Sequence, residues 1–322
     1  MGFPVGQSRW WHTEGGAIQR VLAEHYGAEV AGHALSPSVD PNRLRAELRL
    51  AAPELTELTD RVRAAFDRRR ACAVLVPRLE VAELDTDDKR KAVFAFASLI
   101  GDPTANLPFE QVLWDVCNNS ETATRHTSFS ENDREADYHT DNGALRVPER
   151  FFLLYAVRAA SCGGGVSMIR DGRVLIEQLR QTPGGRATVE LLTEAVVPRR
   201  VPKAFQAYAD VASDGYKYTP ILARSEAEPP LWRWRKDRVY QGLAKYPRYA
   251  TPELCRAVDL VADLLEHGAD QVRQTVPTDG LLVVNNHIAL HGRTAFTDQR
   301  RHLFRLRFHE PAADPQARGS TG

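Results

Sequence analysis

The sequence predicts a mainly β protein, a sandwich or barrel with helices packed against it. Two observations carry that expectation. From about residue 110 onward, short segments rich in β-branched and aromatic residues alternate with glycine-bearing turns. Before that point, apolar residues recur with helical spacing around a single strand-like run. A chain of 322 residues with 43% hydrophobic and 26% charged residues suits one globular domain with a sizeable core. The expected division is a single domain, 1–322: a helical part over 1–105, a β core over 106–310 and a flexible tail over 311–322.

In order along the chain, residues 17–26 and 54–71 have helical periodicity, and CAVLVPRL after them reads as a buried strand ended by proline. Residues 85–100 read as a helix with acidic residues at its start and Gly101 at its stop. The strand-like runs that follow are QVLWDVC, RFFLLYAVRA, VSMIR, EAVVPRRV, YKYTPIL, LLVVNN and HLFRLRF. Turn signals between them include GGG at 163–165, PGG at 183–185 and DG at 171–172, 214–215 and 279–280. Two helical stretches interrupt, near 173–181 and 252–275. The aromatic and basic run WRWRKDR at 232–238 reads as a solvated helix or loop face in preference to a substrate lid.

Charge and composition exclude several classes of partner. Lys+Arg and Asp+Glu are 42 each, so no net field draws the chain to nucleic acid or an anionic membrane, and a small molecule is the expected ligand. No apolar run approaches a membrane span, and MGFPVGQSRWWHTEGG lacks the apolar centre of a signal peptide. Cys72, Cys117, Cys162 and Cys255 form no C-x-x-C pair or disulfide framework. The expected location is the cytoplasm; the oligomeric state is left open.

The chemistry concentrates in a few stretches. In DYHTDNGAL at 137–145, His139 and Asp141 are two apart, so an extended backbone points both to one face. An imidazole and a carboxylate there can bind one ion, with a third ligand from elsewhere; His291, after the apolar strand LLVV, is the candidate. Two histidines and one carboxylate occupy one face of an octahedron and leave positions for substrate and oxygen. Downstream, RRHLFRLRF sets Arg301, Arg305 and Arg307 on one face of a strand. Three inward cations are costly unless they meet anions, and a guanidinium grips a carboxylate with two hydrogen bonds. In SCGGGVSMIRDG the glycines allow close backbone approach, and Ser167 offers a hydroxyl to the same carboxylate. Singly, each piece has an ordinary explanation: a polar turn, a hydrogen-bonded histidine, an edge strand with solvated charges, a glycine-rich turn.

Together these landmarks resemble the iron(II)/2-oxoglutarate oxygenases of the taurine dioxygenase and clavaminate synthase superfamily. The likeness runs from roughly residue 70 to 309: H-T-D at 139–141, G-G-x-S at 164–167 followed by Asp171, N-x-x-x-x-H-G-R-x-x-F from Asn286 to Phe296, and R-R-x-L-x-R at 300–305. The resemblance implies a double-stranded β-helix, a cupin-like jelly-roll barrel with helices outside. It implies iron(II) held by His139, Asp141 and His291, with 2-oxoglutarate as cosubstrate and O2 as oxidant. It places Arg305 on the far carboxylate of 2-oxoglutarate, with Ser167 where the family usually has threonine and Arg301 in support. Asp141 argues for hydroxylation over halogenation, because related halogenases replace that carboxylate by a small residue; it departs from the glutamate common in the clavaminate branch.

The expected function is hydroxylation of an unactivated C–H bond in a free amino acid or similar small polar molecule, in specialised metabolism. The alternatives are hydroxylation of a small dicarboxylate of the glutarate type, desaturation or oxidative cyclisation on the same core, and a barrel that binds ligand without turnover. The polar segment 125–136 reads equally as a loop covering the substrate and as a passive surface loop, and Arg125 and Asn142 are the candidate substrate contacts by adjacency.

Overall fold

The computed structural model describes residues 10–67, 71–106, 110–117, 132–223 and 231–312. It opens with helices α1 (Trp10–Tyr26), α2 (Pro41–Ala51) and α3 (Pro53–Asp67), then strand β1 (Ala73–Val76) and helix α4 (Thr86–Ile100). Local chemistry starts these helices. The Asp40 carboxylate accepts from the Arg43 backbone N–H at 3.0 Å with Pro41 in the first turn, and Asp85 accepts from Asp88 at 2.8 Å. Helix α1 begins earlier than its periodicity indicated, because Trp10 and Trp11 are buried and extend its apolar face. Helix α2 was not anticipated: its buried apolar residues are only Leu44 and Leu48, and the Arg45 between them is buried too, among four charged residues and an asparagine in all.

The strands follow in turn: β2 (Asp102–Thr104), β3 (Trp114–Cys117), β4 (Ala136–His139), β5 (Phe151–Arg158) and β6 (Ser167–Asp171). Helices α5 (Gly172–Gln181) and α6 (Gly185–Glu194) intervene before β7 (Val197–Arg200), β8 (Tyr216–Thr219), β9 (Leu222–Ala223) and β10 (Leu231–Trp232). After α7 (Lys236–Lys245) and α8 (Pro252–His267) come β11 (Val272–Gln274), β12 (Leu281–Asn285), β13 (Ala289–Arg293) and β14 (His302–His309). The helix expected over 252–275 stops at His267, where the chain leaves at Gly268 and re-enters as strand β11.

Two antiparallel sheets face each other. The larger has the order β1-β12-β5-β14-β2, with β3 also on β14; the smaller has the order β11-β6-β13-β4. Period-2 alternation assigns every face. In the larger sheet, Phe151, Leu153, Tyr155, Phe304, Leu306 and Phe308 point outward into the core made by α1–α4. Phe152, Ala156, Leu282, Val284 and Leu303 point inward, where they meet Ile169 and Ala289 of the smaller sheet. That sheet's other face packs Met168 and Leu290 against α5–α8. The result is a double-stranded β-helix clad in helices on both sides, and both faces of β14 are buried, which explains its lack of clean polar/apolar alternation. No described helix is long and apolar enough to cross a membrane.

The run at 232–238 corrects its sequence reading. Trp232 and Trp234 are each 1% exposed and Arg233 is buried, so only α7, from Lys236 onward, is a helix with a solvated side. Aromatic residues interleaved with arginines conceal a buried stretch that begins as strand β10 and whose Arg233 is consumed internally.

Candidate metal centre

Strand β13 lies between β4 and β6 and carries His291 opposite His139 of β4 and Ile169 of β6. The pairing across β4 and β13 sets the two imidazoles 4.5 Å apart, centroid to centroid. Asp141 follows just beyond the end of β4. Its Oδ1 lies 3.8 Å from His139 Nε2 and 3.9 Å from His291 Nε2. One ligand atom from each of the three falls within 4.8 Å of the others, and among the described residues this is the one such cluster of three or more able to hold a metal ion. Gly292 is needed between the strands: a Cβ there would stand 2.6 Å from the Ala136 carbonyl oxygen and 2.9 Å from Met168 Cε.

The surroundings set the protonation and aim of the donors. The Nδ1 of His139 is 2.7 Å from its neighbour's carbonyl at Asp137, and that of His291 is 3.4 Å from the Ala289 carbonyl. Both Nε2 atoms therefore face Asp141. Burial holds the His139 pKa well below the ordinary histidine value, helped by His291, and takes His291 down to about 4. Both rings are neutral near pH 7, the form that ligates metal. The Nε2 of His291 is buried and makes no hydrogen bond. An orphaned acceptor beside an imidazole and a carboxylate is the donor set that a divalent transition metal satisfies.

A second tier fixes the arm. The Thr140 hydroxyl donates to the Trp232 carbonyl at 3.0 Å and accepts from the Trp234 N–H at 3.1 Å, while the Thr140 N–H reaches the Trp234 carbonyl at 2.8 Å. Asn286 accepts from the Asp141 N–H at 2.8 Å and donates to the carbonyls of Asp141 at 3.2 Å and Glu149 at 3.0 Å. Arg233 donates to the carbonyls of Gly143, Leu145 at 2.7 Å and Arg146 at 3.0 Å, pinning the turn after the arm. Asn286 and Thr140 both lie in the sequence motifs, but the roles of Thr140 and of the stretch 232–234 were missed, because their contacts span about ninety residues and involve backbone atoms that residue types do not reveal.

Behind the cluster, one pocket is lined by His139, His291, Ser167, Arg301, Arg305 and apolar side chains that include Phe152 and Ile169. Arg305 and Arg307 share the inner face of β14, as their alternation predicts, and Arg301 lies just before the strand. Arg305 donates to Asp141, and its guanidinium carbon lies 4.8 Å over the Phe152 ring. Arg301 is 5% exposed; its Nη1 makes no hydrogen bond, and it sits over Phe296 and against Gly165, whose φ is +69°. Burial, with Arg293 nearby, lowers its pKa to about 9. Arg293 itself is engaged with the carbonyls of Asn132 at 2.9 Å and Arg134 at 2.5 Å. Asn142 has φ +49° and donates to the Glu149 carboxylate at 2.9 Å. Arg125 and most of 125–136 lie outside the described residues.

Residues 33–307 match the family described as "Taurine catabolism dioxygenase TauD, TfdA family". No curated protein sequence matches the chain. Among solved structures, the chain is similar to a mutant of the non-heme iron oxygenase OrfP in complex with (3S)-hydroxy-L-Arg: TM-score 0.68, 14% identity, covering 100% of this chain and 97% of that one. It is also similar to an asparagine oxygenase in complex with Fe(II), 2S,3S-3-hydroxyasparagine and succinate: TM-score 0.66, 17% identity, 96% and 93% covered. A third is OrfP with Fe and alpha-ketoglutaric acid: TM-score 0.66, 14% identity, 96% and 94% covered. At these identities the likeness establishes the shared fold.

Proposed function

The chain belongs to the taurine catabolism dioxygenase TauD, TfdA family, and from that premise we propose that it hydroxylates a free amino acid with iron(II), 2-oxoglutarate and O2. The observation that carries this reading is the buried cluster of His139, Asp141 and His291 at the edge of a pocket whose other polar groups are a serine and three arginines. Those three residues would hold the iron. Bound with 2-oxoglutarate and O2, iron supplies the oxidising power that puts one oxygen atom into an unactivated C–H bond, as 2-oxoglutarate becomes succinate and CO2.

The chain's residues prepare that chemistry. Neutral imidazoles and one carboxylate leave a dication with one positive charge to attract anionic ligands. Arg305, which lines the pocket, is the group we assign to the far carboxylate of 2-oxoglutarate, with Ser167 and Arg301, whose Nη1 makes no hydrogen bond, at the same pocket. Phe152 and Ile169 wall the pocket and exclude water from it. The amino-acid substrate class follows the hydroxylated arginine and asparagine in the similar structures. The abundance of inward arginines favours a second reading, a small dicarboxylate, which the buried Glu149 carboxylate opposes. None of the four cysteines is in a disulfide among the described residues, which suits the reducing cytoplasm.

Anaerobic addition of iron(II) and 2-oxoglutarate is expected to produce a visible charge-transfer absorption, and an amino acid is expected to stimulate succinate release in air. His139→Ala should lose both. An absent absorption, or full turnover by H139A, would falsify the assignment.

A further inference from the structure

A second cavity lies on the outer face of the smaller sheet, where that sheet meets α8. Strand β4 carries a bulge there. His139 pairs with His291 and Ala136 with Arg293, so Asp137 and Tyr138 together stand opposite Gly292. Such a bulge breaks the two-residue alternation and re-aims a side chain. Asp137 thereby joins Tyr138 in lining the cavity, with Glu135 just before the strand. Arg273 comes from β11, at the opposite edge of the sheet. Glu135, Asp137 and Arg273 form an exposed rim, and the buried Tyr138, Trp234 and Leu265 lie deeper. The cavity measures about 100 Å³, roughly three water molecules at their liquid volume. Met168 is the one lining residue it shares with the pocket beside the metal.

Two features of this cavity point to a ligand. Opposite charges line it without meeting. The side chains of Glu135, Asp137 and Arg273 make no hydrogen bond or ion pair among the described residues, whereas Lys236 and Glu266 of the same lining pair with each other. The second feature is Tyr138, which is 7% exposed and whose buried hydroxyl makes no hydrogen bond. A buried hydroxyl without a partner is destabilising, and a bound polar group would satisfy it.

We propose that this cavity is a second ligand site, which binds a small α-amino acid as its zwitterion. Asp137 and Glu135 take the ammonium, Arg273 and the Tyr138 hydroxyl take the carboxylate, and a short side chain rests on Trp234 and Leu265. A simple amine would leave Arg273 unmatched. A dicarboxylate would set one acid against Asp137 and Glu135. This binding does not depend on the reaction proposed above.

The test uses the full chain loaded with nickel(II) and 2-oxoglutarate, so that binding is measured without turnover. Glycine, L-alanine and L-serine are titrated by calorimetry, with methylamine and acetate as carriers of one charge each. Backbone hydrogen exchange across 271–273 reports where they bind, since β11 carries no metal ligand. At least one of the amino acids is expected to bind saturably and to slow that exchange. Methylamine and acetate are expected to bind at least about fivefold more weakly, the scale of an ion pair at a solvent-facing rim. Arg273→Gln should weaken the amino acid by about the same factor and remove its advantage over methylamine, while Arg273→Lys keeps part of the affinity. Tyr138→Phe should also weaken it, yet leave the ligand-free Tm equal or higher, because the orphaned hydroxyl is gone. Amino-acid binding that leaves 271–273 unprotected, or that is as tight in R273Q and Y138F as in the wild type, would place the ligand elsewhere and overturn the proposal. Methylamine or acetate binding as tightly as the amino acid, or no binding by any of the three amino acids, overturns it as well.

Discussion

At the scale of single residues, the two histidines link burial to metal chemistry. Each is held neutral in the folded chain, His291 with a pKa near 4 against an ordinary 6.5. The unfolded chain binds those protons more readily. The resulting stability is therefore present above about pH 6.5 and is lost as pH falls toward about 4. The His291 shift corresponds to roughly 3 kcal/mol at most. Metal-free protein is expected to show a Tm that drops from pH 7 to pH 5, and His291→Ala should flatten the drop. An equal drop in the variant would assign the effect to other groups. Asn286 works one step away from the metal by gripping both backbone groups of Asp141. Asn286→Ala should leave the fold intact and weaken nickel binding by about 10–100-fold in a competition titration; unchanged affinity would remove its positioning role.

At the scale of elements, the arm and the strand beneath it hold each other. Thr140 sits between two metal-facing residues and turns its hydroxyl away from them, onto the backbone of residues 232–234. Thr140→Val keeps the shape but leaves the Trp234 N–H unpaired in the interior, a cost of about 1–3 kcal/mol. Urea unfolding should register that loss together with weaker metal binding; a stability loss with unaltered metal affinity would mean the hydroxyl does not aim the ligands. Strands β13 and β4 depend on Gly292 in the same way. Gly292→Ala forces the strands apart where a Cβ would overlap the Ala136 carbonyl, costing about 1–3 kcal/mol. Because His139 and His291 lie on those two strands, nickel affinity should fall with stability, and a stable G292A with normal affinity would contradict the close-approach argument.

At the scale of the whole molecule, Asp279 joins the helical layer to the barrel. Its carboxylate accepts from the N–H groups of Glu80 at 2.9 Å and Val81 at 3.1 Å and from the Tyr155 hydroxyl at 2.9 Å. Its carbonyl accepts from Leu79 at 2.7 Å, whose own carbonyl receives the Trp10 indole at 2.6 Å. In the sequence it is half of an Asp-Gly turn signal, and its φ of +66° agrees with that reading. Its long-range role has no local signature. Asp279→Ala should cost at least about 3 kcal/mol, since hydrogen bonds to a charged acceptor are worth about 1.5–3 kcal/mol each. Asp279→Asn should cost less, and equal midpoints for D279A and wild type in urea would show that the layers are joined by apolar packing alone.

What the sequence alone determined is what local pattern encodes. Short β-branched and aromatic runs between turns marked the sheet strands that build most of the barrel, the H-x-D spacing set two donors on one face, and the spacing of Arg301, Arg305 and Arg307 set three cations on another. Each follows from a period of two or 3.6 residues, which survives in a single chain without neighbours. Asn286, His291 and the glycine-rich turn were legible as a motif, though not their partners. Only the tertiary structure decided which arginines meet Asp141, that the WRW run is a buried stretch clasping Thr140, and that Glu149 stands at the metal arm. These depend on which strands pair and in what register. That choice is made by the packing of two whole sheets against each other and against their helices, and so by contacts between residues about ninety to two hundred positions apart.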